Sequence, residues 1–281
     1  MRSSSVVFFG VLGLVALSAC SVSTTDNSIT FKTKREYVDS SQPAKSSTSE
    51  WNGQAITINN DGVNPLVGNG GVEIYPDPSA TKVTAQAIFA GRGDVEADAQ
   101  ESIRDALATF QVTESNGNIT VTCKHGGDHG SSPGGQSGCK LLKVTIPAGT
   151  AAVPVKLTVG DGNGGIRFNG AVTVSSLIVD ENGSGDVSVK VNPVKGASVV
   201  VTGEDAVSVA VPSTFSAESV ILTVDESDPA AAAERIITTA FPGMKSNQPY
   251  PIAGATADAA KTLNVQSKGI LSSDTVTIAS Y

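Results

Sequence analysis

The sequence predicts an all-β fold: a single-stranded β-helix, or β-solenoid, with rungs of about 21 residues, one inserted helix and a disulfide loop. Three observations predict it. Short Val-rich strands recur at nearly constant spacing. Polar turns rich in Gly, Asn and Asp separate them. Only 5% of residues are aromatic and 16% charged, while Gly reaches 29 residues, a turn-rich composition that suits many short strands.

The repeat is clearest between residues 155 and 225. Strand starts at Leu157, Leu177, Val199 and Ile221 are spaced 20, 22 and 22 residues apart. Polar turns follow at 160–165, 180–186, 202–205 and 225–228. After the first three turns come Ile166-Arg167-Phe168, Val187 to Val191 and Val207 to Val211, the last two alternating strictly with period two. One such rung cannot bury its apolar face alone, so neighbours must stack and share a core. Earlier strands are expected at 55–58, 70–75, 83–88, 119–122 and 144–146, and later ones at 263–265 and 276–278. The stretch 95–110 reads as the inserted helix. Ala97, Ile103, Leu107 and Phe110 fall near helical spacing, with no Gly or Pro inside. A short Ala-rich helix is expected at 230–236. The rival fold is a β-sandwich, whose turns come every 8–12 residues. The spacing here is about twice that.

The N-terminus reads as an export signal. Arg2 supplies a positive start and Val6–Leu17 an apolar run of 12 residues, too short to cross a bilayer, which takes about 20. Leu17-Ser18-Ala19-Cys20 resembles the lipobox of bacterial lipoproteins. The resemblance implies a signal peptide over 1–19 and a lipid on Cys20, a palmitate-type anchor to a membrane. Ser21 after the cysteine implies the outer membrane, on its periplasmic or its surface face. Residues 20–50 are Ser/Thr-rich and read as a flexible tether, and 51–281 as the folded domain.

The formal net charge is −8, with acids dispersed along the chain, which argues against nucleic acid as a partner. The remaining cysteines, Cys123 and Cys139, are an even pair in an exported chain and most simply form a disulfide.

The Asn-Asn-Asp-Gly turn at 59–62, Gly-Asn-Gly-Gly-Ile-Arg-Phe at 162–168 and Asn-Gly-Ser-Gly-Asp-Val-Ser-Val at 182–189, behind a lipobox, resemble the bacterial adhesin domains likened to autotransporter adhesin heads. That family implies a single-stranded β-helix over 51–281 with no catalytic residues to carry across.

Candidate chemistry is sparse. His125, Asp128 and His129 cluster beside Cys123, and His-x-x-x-His with a carboxylate can bind zinc or copper. Gly126-Gly127 between them argues for a loop, so two solvated histidines are the plainer reading and no cofactor is the first expectation. Asp180–Asp186 departs from a calcium loop, since position twelve is Val191 and strands rather than helices flank it. Asp161, Asp186, Asp205 and Asp228 could form a row of acids on one edge, as a glycan-acting β-helix enzyme would need, but turns favour Asp for local reasons. The leading expectation is a non-catalytic structural or adhesin-like envelope lipoprotein with a protein or glycan partner. The alternatives are a metal-binding periplasmic lipoprotein and a glycan-acting enzyme.

Overall fold

A computed structural model describes residues 20–25, 28–33, 35–38, 45–61, 70–93, 95–124, 137–161, 164–238, 241, 245–246, 260–269, 271 and 273–281. In chain order the strands before the helix are β1 (Cys20–Thr25), β2 (Ser28–Thr33), β3 (Arg35–Val38), β4 (Lys45–Glu50), β5 (Ala55–Asp61), β6 (Gly71–Asp77) and β7 (Lys82–Gly93). Helix α1 (Glu96–Thr109) follows, then β8 (Gln111–Ser115), β9 (Asn118–Lys124), β10 (Ser137–Pro147), β11 (Val155–Asp161), β12 (Ile166–Phe168), β13 (Val172–Glu181), β14 (Val187–Gly203), β15 (Val207–Val211) and β16 (Ala217–Val224). The chain closes with α2 (Pro229–Arg235), β17 (Ile236–Thr238), β18 (Ala260–Ser267) and β19 (Val276–Ser280).

β1 and β2 form an antiparallel pair of their own, and the other strands make one 17-stranded sheet. Its pairings fall in two ladders. The first runs β8, β9, β5, β11, β13, the second half of β14, β18, β16. The second runs β3 and β4, β7, β10, β6, β12, the first half of β14, β15, β19, β17. β14 passes from one ladder into the other without a break.

The alternation of Val, Ile and Leu with polar residues dictates this form. In β11, Val155, Leu157 and Val159 are buried while Lys156 is exposed; in β15, Val207, Val209 and Val211 are buried. Strands in parallel sheets covered on both faces read as continuous apolar runs; here one face stays wet. The buried residues of both ladders belong to one hydrophobic cluster. Each fully buried Val, Leu or Ile contributes about 1.5–3 kcal/mol.

The spacing of 20 and 22 residues is the spacing of in-register parallel partners: Leu157 lies opposite Leu177, and Leu177 opposite Val199. The next step departs from a single continuous winding. Val199 pairs with Leu263, and Ile221 pairs with Asn264 on the far side of β18. β18 and β19 are thus wedged between units that are neighbours in sequence. At the other end β5 lies between β9 and β11. Both insertions bury side chains on two sides, as Leu263 and Ile56 show, which local spacing does not encode.

The structure departs from two expectations and adds one strand that the sequence does not announce. Residues 20–50 read as tether, yet β3 and β4 pair antiparallel with β7, down to Glu50 opposite Lys82, where a salt bridge of 2.7 Å joins them. The sheet therefore starts well before residue 51. Serines and threonines satisfy an edge strand because only its backbone needs partners. Helix α1 matches 95–110, but its buried face is Ala99, Ile103, Ala106 and Phe110, with Ala97 exposed and Leu107 half-buried. Small residues win there because the helix lies close on β7: a Cβ at Gly91 would collide with the carbonyl of Ala99. β8, with only Val112 apolar, carries no strand signal of its own and exists through its antiparallel pairing to β9.

Candidate functional site

The last inward position of the first ladder forms a column along one corner of the sheet. After Val121, Ile58, Val159, Val179, Val201 and Val265 come Cys123, Asn60, Asp161, Glu181, Gly203 and Ser267, all buried. Cys123 lies opposite Asn60, Asn60 opposite Asp161, Asp161 opposite Glu181, and Gly203 opposite Ser267. Asn60 and Glu181 stand inside stretches that read as turns. The ladder runs into those turns before the chain bends, so residues chosen for bending end up facing inward. Gly203 is required there, since a Cβ would fall 2.9 Å from Cγ2 of both Val187 and Val207.

Glu181 is 0% exposed. Its carboxylate accepts from the backbone N–H of Gly183 at 2.8 Å and of Glu204 at 3.0 Å, tying two units together. Burial pushes its pKa above the ordinary carboxylate value despite those donors. Asp205 is also raised, first by burial and then by the charges of Asp274, Asp186 and Glu204. Lys268 crosses this acidic corner, 3.7 Å from Asp180, 3.7 Å from Glu204, and donates to Asn182 Oδ1 at 3.2 Å.

A groove of about 490 Å³ opens beside the column, lined by Asn59, Asn60, Thr122, Lys124, Gly160, Asp161 and Asn182. Asn59, Lys124 and Asn182 are exposed at its rim, while Asn60 and Asp161 are buried at its floor. Asn60 is 1% exposed, and among the described residues neither Nδ2 nor Oδ1 has a hydrogen-bond partner. Buried amides are nearly always bonded, and leaving one open costs about 1–3 kcal/mol.

A second groove, of about 770 Å³, lies between the end of β16 and α2. Asp228 caps that helix by accepting from Ala230 N at 2.9 Å. Beside it Arg235, 4% exposed, donates to three backbone carbonyls: Asp274 at 2.7 Å, Asp225 at 3.3 Å and Gly269 at 2.6 Å. Its role is to join α2 to the loop before β19.

The residues singled out from sequence are scattered. Cys123 and Cys139 are disulfide-bonded, with Cα atoms 6.2 Å apart. Cys20 is the first residue of β1, opposite Thr33. His125, Asp128 and His129 lie outside the described residues. Among the described residues no group of three His, Cys, Asp or Glu is placed to hold a metal ion, and no helix is long and apolar enough to cross a membrane. The expected row of acids does not form. Asp161 faces inward on the column, Asp186 and Asp205 precede paired strands of the second ladder, and Asp228 caps α2. Asn60, Glu181 and Arg235 were not legible as special. The one available signal was a polar residue at the inward phase of an alternating strand, as Ile56-Thr57-Ile58-Asn59-Asn60 shows.

No family model matches the chain, and no curated protein matches it. One solved structure is similar, a candidate cell adhesion protein from Clostridium sporogenes. It is 9% identical, with a TM-score of 0.46, over 85% of this chain and 100% of that one. A likeness that distant carries neither fold nor function across.

Proposed function

We propose that this protein is a non-catalytic binding module of the bacterial envelope, held to the outer membrane by lipid on Cys20. Its two ladders form an interrupted β-helix whose first and last units are interleaved. The observation that carries the binding role is the corner groove, which opens on a parallel ladder paired on both sides and is lined, among the described residues, by side chains able to donate or accept hydrogen bonds. The neighbouring acid Glu181 is committed to holding backbone N–H groups, a structural use rather than that of a free general acid or base.

The test is metabolic labelling with radioactive palmitate and protease shaving of intact cells against lysed ones. Incorporation that disappears in Cys20→Ala, with digestion on intact cells, is the expected result. Labelling with protection until lysis keeps the anchor but moves the module to the periplasmic face. No label on the wild-type chain overturns the anchored reading.

A further inference from the structure

The turn between β13 and β14 carries an Asn-Gly step, Asn182-Gly183. In such a step the glycine backbone nitrogen can attack the side-chain carbonyl carbon of the asparagine, expel ammonia and close a five-membered succinimide. Glycine favours the attack because it has no Cβ to hinder the approach. Catalysis needs a base for the attacking N–H, a positive group for the oxygen that gains charge, and a hold on the departing nitrogen.

Each of these is in place. Gly183 donates its N–H to Glu181 Oε1 at 2.8 Å. Glu181 Oε2 accepts from the N–H of Glu204 at 3.0 Å, which fixes the carboxylate from its other side. Burial raises the pKa of Glu181 and so makes it a stronger base than an ordinary carboxylate. Lys268 Nζ donates to Asn182 Oδ1 at 3.2 Å, where negative charge develops as Cγ becomes tetrahedral. Asn182 Nδ2 donates to Asp180 Oδ2 at 3.1 Å. The exposed carboxamide is thus gripped at both ends. Asn52, Asn116 and Asn169 also precede a glycine. Among the described residues, only the step at Asn182 joins a carboxylate on the glycine N–H to an ammonium on the asparagine oxygen.

We infer that the protein cyclises and deamidates itself at Asn182, with Glu181 as the base, Lys268 as the partner of the oxyanion and water as the co-reactant. Glu181 Oε1 takes the amide proton of Gly183, and the nitrogen forms a bond to Asn182 Cγ. The Cγ–Nδ2 bond then breaks, and Nδ2 takes the proton from Glu181 and leaves as ammonia. Water opens the succinimide at either carbonyl, giving aspartate or isoaspartate. Either product places a third carboxylate around Lys268, beside Asp180 and Glu204. The isoaspartate also lengthens the backbone of the turn by one methylene.

The experiment incubates the full chain, purified in detergent, at neutral pH, with a parallel sample unfolded in urea. Both are sampled over weeks and mapped as peptides by mass and elution. Asn116-Gly117, in an exposed turn, is the internal reference. The expected result is conversion of Asn182 faster in the folded chain than in urea, and several-fold faster than Asn116 in the same folded sample. Glu181→Gln should slow it tenfold or more, to below the urea rate, which partial unfolding would not do. Lys268→Met should slow it several-fold. Neither variant should change the rate at Asn116. Conversion slower in the folded chain than in urea, or unchanged in both variants, overturns the proposal. A cross-link between the peptides of Asn182 and Lys268 would mean that Nζ attacks in place of the Gly183 nitrogen, and overturns it too.

Discussion

Between residues 155 and 203 each strand of the first ladder pairs with the next unit along the chain, whereas at the ends it pairs with a segment from far away. Leu157, Leu177 and Val199 stack in order. Beyond Val199 the partner is Leu263, and the bond between Ser198 and Thr262 spans 64 residues at 2.9 Å. Both regions obey the same inward–outward alternation, and both bury their Val and Leu completely. The difference lies in closure. The middle joins neighbours through short turns, while each end must bring in a distant strand, and closing such a loop costs conformational entropy that grows slowly with length. The ends therefore carry fastenings that the middle lacks: the disulfide and α1 at one end, Arg235 and α2 at the other.

The largest expected effect tests the shared core. Leu177→Ala, in the middle, should cost about 2–5 kcal/mol, measured by denaturant unfolding. Leu263→Ala, in the wedged strand, should cost a similar amount, because both side chains are 0% exposed. A much smaller loss at Leu263 would show that the interleaved unit opens on its own. Reducing Cys123–Cys139 should remove about 3 kcal/mol, as expected for a loop near this separation of 16 residues. Hydrogen exchange should rise first in β9 and β10 and last in β13; a uniform rise would mean that the disulfide does not act locally.

Arg235→Met should cost on the order of 3 kcal/mol, because three carbonyls lose a charged donor. Exchange in β17 and β19 should speed up while β11 keeps its protection. Gly203→Ala sits where the two regions meet and should cost about 1–3 kcal/mol through the collision with Val187 and Val207. An unchanged melting temperature would mean that the corner has slack.

The smallest effect is in pH. The folded-state pKa values of Glu181 and Asp205 stand above their unfolded values of 4.5 and 3.8. The stability linked to them is full below the unfolded values and is lost as pH rises through the raised ones. Unfolding free energy measured from pH 4 upward should fall for the native chain and fall less for Glu181→Gln. Equal slopes would show that Glu181 is not the titrating group.

Much of the architecture was readable. The 20- and 22-residue steps from Leu157 to Val199 are real pairing distances, α1 and α2 lie where periodicity and an Ala-rich run place them, and the two cysteines meet. The candidate site was less readable. Asn60 and Glu181 look like ordinary turn residues because their neighbours are Asn, Asp and Gly, and only the neighbouring strands reveal that the ladder continues past them.

By itself the sequence determined the alternation, and with it which face of each strand is wet, the spacing of in-register partners from Leu157 to Val199, and the sites of the helices. Those are local properties, set by side-chain period and turn chemistry within a few residues. Tertiary structure alone decided the order of the stack, the use of residues 35–38 and 45–50 as strands beside β7, and the burial of the Asn60 amide at the corner. Each of these depends on which segment supplies the next backbone partner. A Val-rich strand presents much the same ladder of N–H and C=O groups to many partners, so pairing order is chosen by how the whole core closes.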